Sequence, residues 1–275
     1  MRRQYGICRV TAVWILLALV GLTVAGYALL SGGIWPVASG DKVWRDGSLT
    51  VDASNRKDGY VMVCGPITER KLKVRFTRGD EVFTYDLNGS GEYETFPLQL
   101  GSGSYSCTLY KNVKGNKYSQ EGSVSFKVEL TDENAAFLCP NQYVDYTAES
   151  PAVQLSMEIC EGLESDQEKL TAIRDYIKAN FMYDFVKAAT VAPGAMPDIE
   201  RCLETQMGIC QDLTALAACM LRVQGIPTKM VIGYADENYH AWNSVLIDGE
   251  YVVLDLTAEV KAISKNVTYT VERYY

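Results

Sequence analysis

Three residues of the types that carry out acyl transfer lie in order along the second half of the chain: Cys210, His240 and Asp255. A thiol that attacks, an imidazole that takes its proton and a carboxylate that orients the imidazole form a nucleophilic set. His240 is the only histidine among 275 residues, so any step that needs an imidazole must use it. Cys210 heads an apolar pattern in which Leu213, Leu216, Ala217 and Met220 recur at the spacing of one helical face. The cysteine is therefore expected at a helix N-terminus, where unpaired N–H groups and the macrodipole favour a thiolate. Its own N–H is available to an oxyanion on the attacked carbonyl, and Gln206 offers a side-chain amide for the same task. Asp212 is read as a complement to the macrodipole and Trp242 as a wall of the cleft.

The elements that must position these groups follow from the neighbouring residues. Gly225 stops the helix and Pro227 keeps it from resuming. A β-branched strand is expected over 228–234. An alternating segment then begins at His240, turns at Asp248-Gly249 and returns over 251–256. If Asp248-Gly249 is a two-residue turn, Ile247 pairs with Glu250, which sets Trp242 opposite Asp255 and His240 opposite Thr257. His240 and Asp255 are then diagonal neighbours on one face, within reach of each other. A three-residue turn would put them on opposite faces.

Four segments carry a resemblance in order and spacing: Gly208-Ile209-Cys210-Gln211-Asp212, Leu221-Arg222-Val223-Gln224-Gly225-Ile226-Pro227, His240-Ala241-Trp242-Asn243 and Leu254-Asp255-Leu256-Thr257. They resemble the transglutaminase-like superfamily of papain-related cysteine enzymes. Tyr176 and Tyr183-Asp184 extend the likeness upstream, over roughly 151–275. The resemblance implies a papain-like α+β domain, a triad of Cys210, His240 and Asp255, a thioester intermediate and a protein or peptide amide as substrate. Two departures stand out. Asp255-Leu256-Thr257 replaces the Asp-Pro-Thr frequent in the family, and the Gln-Cys-Trp surround of the calcium-dependent crosslinking enzymes is missing. The superfamily includes proteases, amidases, crosslinkers and inactive scaffolds, so a non-catalytic surface binding module remains open beside an enzyme.

Composition bounds the partners. With 48% apolar and 22% charged residues the chain is of ordinary globular type, with room for two modest domains. A net charge of −8 argues against nucleic acid, whose phosphates need a basic face. One histidine and no paired CxxC offer no usual zinc ligand set, and no acidic loop suggests calcium, so no metal or cofactor is expected.

The remaining chain yields an organisation. Residues 10–30 carry no charge and would span about 31 Å as a helix, matching the hydrocarbon of a bilayer. Arg2, Arg3 and Arg9 precede them, which predicts a signal anchor over 1–30, a single-pass membrane location and the rest outside the cell. A cleaved signal peptide releasing a secreted protein is the alternative. By location alone, the substrate would be cell-surface protein or cell-wall-associated peptide. A linker is expected over 31–47. Short alternating strands follow at 49–53, 60–64, 72–77, 82–87, 93–98, 105–111 and 124–130, predicting an immunoglobulin-like β-sandwich over 48–130. Residues 131–150 read as a connector and 151–275 as the transglutaminase-like domain. Ser150-Pro151 opens one helix there and the capping box Ser165…Glu168 another, with a Pro/Gly-interrupted loop over 188–198, either a gate or a plain connector. The expected fold class is thus α+β: an N-terminal transmembrane helix, an all-β sandwich and a papain-like domain. The spacing of the eight cysteines shows no disulfide framework; Cys64 and Cys107 fall on expected strands, which leaves their pairing open, Cys160, Cys202 and Cys219 read as buried apolar residues, and a structural disulfide through Cys210 is a further alternative.

Overall fold

The computed structural model describes residues 32–263 and 266–275. Eight strands come first: β1 (Val43–Asp46), β2 (Leu49–Asp52), β3 (Tyr60–Cys64), β4 (Leu72–Arg78), β5 (Glu81–Leu87), β6 (Glu94–Pro97), β7 (Gly103–Lys114) and β8 (Lys117–Val128). They form two antiparallel four-stranded sheets, ordered β1-β2-β3-β6 and β5-β4-β7-β8. Alternation drives the pairing of faces. In β4, Leu72, Val74 and Phe76 turn inward while Lys73 and Arg75 turn out. Phe96 from one sheet meets Phe76 and Tyr85 from the other at ring centroids 5.5 and 5.3 Å apart.

One strand falls inside the expected linker. β1 reads Val-Trp-Arg-Asp, too polar for an alternation signal, yet it pairs with β2 and stacks Trp44 on Phe126 at 5.7 Å. Gly47 makes the turn between them with φ 54°, and a Cβ there would lie 2.0 Å from the Glu121 carbonyl oxygen, so a side chain is excluded.

The second half begins with α1 (Pro151–Ile159) and α2 (Asp166–Asn180). Ser165 and Glu168 cap α2 reciprocally, as the sequence pattern required. Then follow β9 (Met182–Tyr183), α3 (Phe185–Thr190), α4 (Ile199–Thr205), β10 (Met207–Gly208) and α5 (Cys210–Val223). Of the segment expected as loop over 188–198, residues 188–190 belong to α3 and only 191–198 link it to α4. After α5 the chain builds β11 (Thr228–Ala235), β12 (Asn238–Ile247), β13 (Glu250–Leu254), α6 (Leu256–Val260) and β14 (Tyr269–Tyr274). The strands form one antiparallel sheet, ordered β13-β12-β11-β14, against which α5 packs.

Every residue of α5 from Asp212 to Val223 is buried. Its last charged residue, Arg222, is fully buried and donates only to backbone oxygens: Nη1 to Cys139 at 2.6 Å, Nε and Nη2 to Thr228 at 3.0 and 2.8 Å, and Nη2 to Tyr275 at 2.9 Å. A planar guanidinium suits this because its donors diverge in a fixed fork. One side chain so ties α5, the segment after the first sheets, β11 and the end of β14. Tyr275 then stacks on Tyr143 at 3.6 Å and meets Phe83 and Tyr85 at 6.1 and 5.9 Å, so the two halves share one continuous apolar core.

One expectation, the membrane-spanning architecture, is corrected. Among the described residues no helix is long and apolar enough to cross a membrane. The architecture is a mixed α/β fold, and neither the transmembrane helix in the expected fold class nor the single-pass membrane location built on it stands. The expectation rested on length and hydropathy alone, and residues 1–30 lie outside the described residues. The apolar helix the structure does show, α5, has 14 residues, about 21 Å, short of the ~30 Å a bilayer needs, and its apolar faces are covered by protein. The open pairing of Cys64 and Cys107 is also decided, since both are free thiols. They belong to different sheets, Cys64 half-buried at the end of β3 and Cys107 wholly buried on β7.

Replacing Arg222 by Leu removes the guanidinium donors of the buried Cys139 and Thr228 carbonyls, while Tyr275 keeps the Met230 N–H at 2.8 Å. The expected loss is about 3–5 kcal/mol of stability, each such acceptor costing ~1–3 kcal/mol. Urea unfolding of the variant checks this, and a loss below ~1 kcal/mol would contradict the tie described here.

Candidate active site

Cys210 is the first residue of α5, and α5 is aimed by what surrounds its N-terminus. Asp212 is completely buried there. Its Oδ2 accepts the Ile209 N–H at 3.0 Å and its Oδ1 the Asp198 N–H at 3.1 Å, while Lys187 Nζ sits 2.8–2.9 Å from both oxygens. Asp212 therefore does more than complement the macrodipole: it joins α3, the start of α4 and the turn before the cysteine through one buried charge pair. A short parallel ladder completes the frame. The Met182 N–H donates to the Gln206 carbonyl and the Asp184 N–H to the Gly208 carbonyl, pairing β9 with β10 and bringing Tyr183 to the cysteine. Gly208 is needed for the fit, since a Cβ would fall 2.8 Å from Cys202 Sγ and 2.9 Å from Asp212 Cβ. Gln206 takes the left-handed cap of α4 with φ 53°, is exposed and lies outside the cleft lining, so its expected part in the oxyanion site is not realised in this geometry.

The hairpin follows the two-residue register. Asp248 and Gly249 both adopt positive φ, 50° and 83°, and Ile247 pairs with Glu250, continuing to Asn243 with Leu254. His240 and Asp255 consequently share a face, and Nε2 lies 2.9 Å from Asp255 Oδ2. Asp255 is also the N-cap of α6, its Oδ1 accepting the Ala258 N–H at 3.0 Å. Leu256 sits at the first helical position, where proline is equally at home, so the missing Pro leaves the acid in place.

A third donor reaches Asp255. Tyr269 OH donates to Oδ2 at 2.9 Å, while its ring packs 4.9 Å from Trp242, which lies buried beneath His240. Trp242 is thus a floor under the imidazole rather than a cleft wall. Tyr269 gets there through a register shift in the β11–β14 pairing at Ile232/Gly233. Gly233, opposite His240, permits it, for a Cβ there would lie 2.0 Å from the Thr270 carbonyl oxygen. Nothing in the order of residues signals this partner, because its place is set by an irregular strand pairing. From the other side, Asn243 Nδ2 donates to the Thr214 carbonyl of α5 at 3.1 Å, holding the helix of Cys210 against the strand of His240.

Electrostatics follow from these contacts. Burial of the imidazole alone would push its pKa down, but hydrogen bonds to Asp255 and to Cys210 outweigh it and raise His240 to about 9. Burial pushes the Asp255 carboxyl up, but its bonds to His240, Ala258 and Tyr269 prevail and hold it below the ordinary carboxylate range. Burial raises Cys160 to about 11 and Cys139 and Cys202 to about 12, and carries Cys107 and Cys219 further up. Cys210 is a free thiol, half-buried, at the meeting of two cavities of 350 and 490 Å³, so it forms no structural disulfide. Tyr183, Tyr239 and His240 border both. The smaller lobe continues past Asp255, Thr257 and Lys261. The larger runs under 191–196, small and apolar residues held by Gln211 Nε2 on the Ala195 carbonyl at 3.1 Å. No group of acids, histidines or cysteines among the described residues is arranged to hold a metal ion.

Residues 153–256 match the family model of the transglutaminase-like superfamily. Solved structures are similar over longer spans at low identity. A candidate cysteine protease of Cytophaga hutchinsonii is 15% identical with a TM-score of 0.40, the match covering 85% of this chain and 81% of that one. A structure described as a TGase is 21% identical with a TM-score of 0.35, over 45% of this chain and 33% of that one. A candidate protease of Parabacteroides distasonis is 18% identical with a TM-score of 0.33, over 66% and 37%. No curated protein matches the chain.

Two outcomes follow from the site. Asp212→Ala buries the Lys187 ammonium without its acid, with an expected cost of about 3–5 kcal/mol. The double change Asp212→Leu with Lys187→Met recovers in urea unfolding only the part of that loss owed to the uncompensated ammonium, because the Ile209 and Asp198 N–H groups still lack their acceptor, whereas losses that simply add would mean the pair does not act as a unit. For His240, the folded pKa lies above the unfolded one. Its stabilisation relative to His240→Gln is therefore full below about pH 6.5 and vanishes as pH rises through about 9. Unfolding curves of both proteins from about pH 6 to pH 10 read this difference, and a constant gap would contradict it.

Proposed function

With residues 153–256 a transglutaminase-like domain, we propose that this protein is a cysteine enzyme that transfers the acyl group of protein or peptide amides. The observation that carries the reading is the 2.9 Å contact between His240 and Asp255 beside a half-buried cysteine at a helix N-terminus, all bordering one cleft.

Asp255 engages Nε2, which leaves Nδ1 of His240 for the cysteine, which borders the same cleft and helps to raise the imidazole pKa. With a pKa of about 9 the imidazole already holds the thiol proton on Nδ1 near neutral pH, and Sγ, beside the imidazolium, attacks the amide carbonyl carbon. Charge gathers on the carbonyl oxygen, where the Cys210 N–H, without an intrahelical partner at this end of α5, can donate. Collapse breaks the C–N bond. The leaving amine takes the proton from Nδ1, and a thioester stays on Cys210. Water or a second amine then attacks the thioester, returns its proton through Nδ1 and frees the thiol, so the net reaction is hydrolysis or crosslinking according to which nucleophile enters. Throughout, Asp255 keeps the imidazole in one tautomer and stabilises its charged form, and Tyr269 fixes Asp255.

Iodoacetamide near neutral pH is expected to label Cys210 ahead of the other described thiols, and His240→Ala to slow labelling about a hundredfold, the scale of a lost proton acceptor. A Cys210 that labels no faster than the others, or equally fast without His240, points to a non-catalytic binding module. Incorporation of a dansylated amine into acceptor protein, absent in Cys210→Ala, separates crosslinking from hydrolysis.

A further inference from the structure

The smaller lobe of the cleft carries a cation that the reaction does not use. Lys261 closes α6, and its Nζ stands 4.6 Å above the centroid of Tyr183 and 5.8 Å from that of Phe185. Those rings meet edge to face at 5.0 Å, so they form a corner that holds the ammonium over the lobe. Tyr183 in turn borders Cys210, which leaves the charge one aromatic ring away from the reacting sulfur.

The acids that share this lobe are engaged elsewhere. Asp255 accepts from His240, Tyr269 and Ala258, and Asp236 Oδ1 accepts the Thr268 N–H. Other cations of the cleft region are paired: Lys187 with Asp212, and Arg273 with Glu272. Among the described residues Lys261 makes no ion pair, although the chain holds 34 acidic residues against 26 basic ones and acidic partners are in surplus. A ring face attracts an ammonium but satisfies none of its three N–H donors in the way a carboxylate does.

We infer that Lys261 receives a carboxylate of the substrate, so that this cysteine site selects acidic peptide segments in which the charge lies beside the attacked amide. The inference deepens the acyl-transfer reading and rests on it for the word substrate. The lobe is open to one side chain or chain end, its 350 Å³ matching a small group rather than a folded partner. A neutral isostere would leave the exposed ammonium to the rings and to solvent. A cationic side chain would be repelled.

Two measurements separate this inference from the reading beneath it. Alkylation of Cys210 needs no turnover: iodoacetate bears a carboxylate and iodoacetamide does not, and intact mass follows both. The rate ratio of iodoacetate to iodoacetamide should fall roughly threefold to tenfold in Lys261→Gln and further in Lys261→Glu, and the difference should shrink at high salt. The second measurement uses quenched peptides identical except for Glu or Gln next to the cleaved or crosslinked amide. The wild type should prefer Glu about tenfold in kcat/KM, mostly through KM, with the preference lost in Lys261→Gln and reversed toward the Gln peptide in Lys261→Glu. An alkylation ratio unchanged by Lys261→Gln, with both proteins melting alike, overturns the inference whatever the peptides do. A ratio that falls as stated while no peptide is processed, by wild type or Cys210→Ala alike, upholds the carboxylate site and instead overturns the enzyme reading.

Discussion

The burial of the helix Cys210–Val223 on all sides is the constraint from which the other features descend. A helix so enclosed cannot leave a charge uncompensated, and it carries one near each end. Asp212 is met by an ammonium and two backbone N–H groups. Arg222 is met by three carbonyls. Because isolated charges in such surroundings cost several kcal/mol, these partners are not interchangeable, and each draws a distant segment to the helix. The sulfur of Cys210 inherits its position from that anchoring.

The histidine is placed by a separate device, a two-residue turn that sets which face of β12 matches which face of β13. A side chain on a pleated strand can be moved to the other face only by a full change of register, so the His240–Asp255 contact is an all-or-none product of the turn. The two devices meet at Asn243, which donates from β12 to the carbonyl of Thr214 on α5. Helix and hairpin are thereby held at a fixed separation. Groups held this way need little reorganisation when charge develops between them, which is what a preorganised acyl-transfer site requires.

The first eight strands contribute no residue to the Cys210–His240–Asp255 cluster, yet they are not an independent appendage. Tyr143 and Tyr275 stack at 3.6 Å, Gln99 Nε2 donates to the Tyr274 carbonyl at 2.7 Å, and Arg222 reaches the Cys139 carbonyl. Tyr275 and Arg273 also border the larger lobe of the cleft. The sandwich therefore supports the floor of the site through the last strand of the other sheet.

Local signals alone determined a good deal: the strand Tyr60–Cys64, the capping box at Ser165, the helix after Cys210 and the Asp248-Gly249 turn with its pairing. These are read from residue types a few positions apart, because periodicity, caps and tight turns are short-range effects. The candidate cysteine, histidine and acid were legible for the same reason, their neighbours forming recognisable local patterns. Tertiary structure alone decided the rest. Tyr269 reaches Asp255 only because β14 shifts register at Gly233. Lys187 reaches Asp212 across 25 positions, and Gln206 is turned away by a left-handed cap. Whether Cys64 and Cys107 pair was open from their places on expected strands, and the membrane-anchored architecture rested on hydropathy, which gives a residue's preference but not its partner. A partner is chosen by packing in three dimensions, where distances between segments depend on every other contact at once.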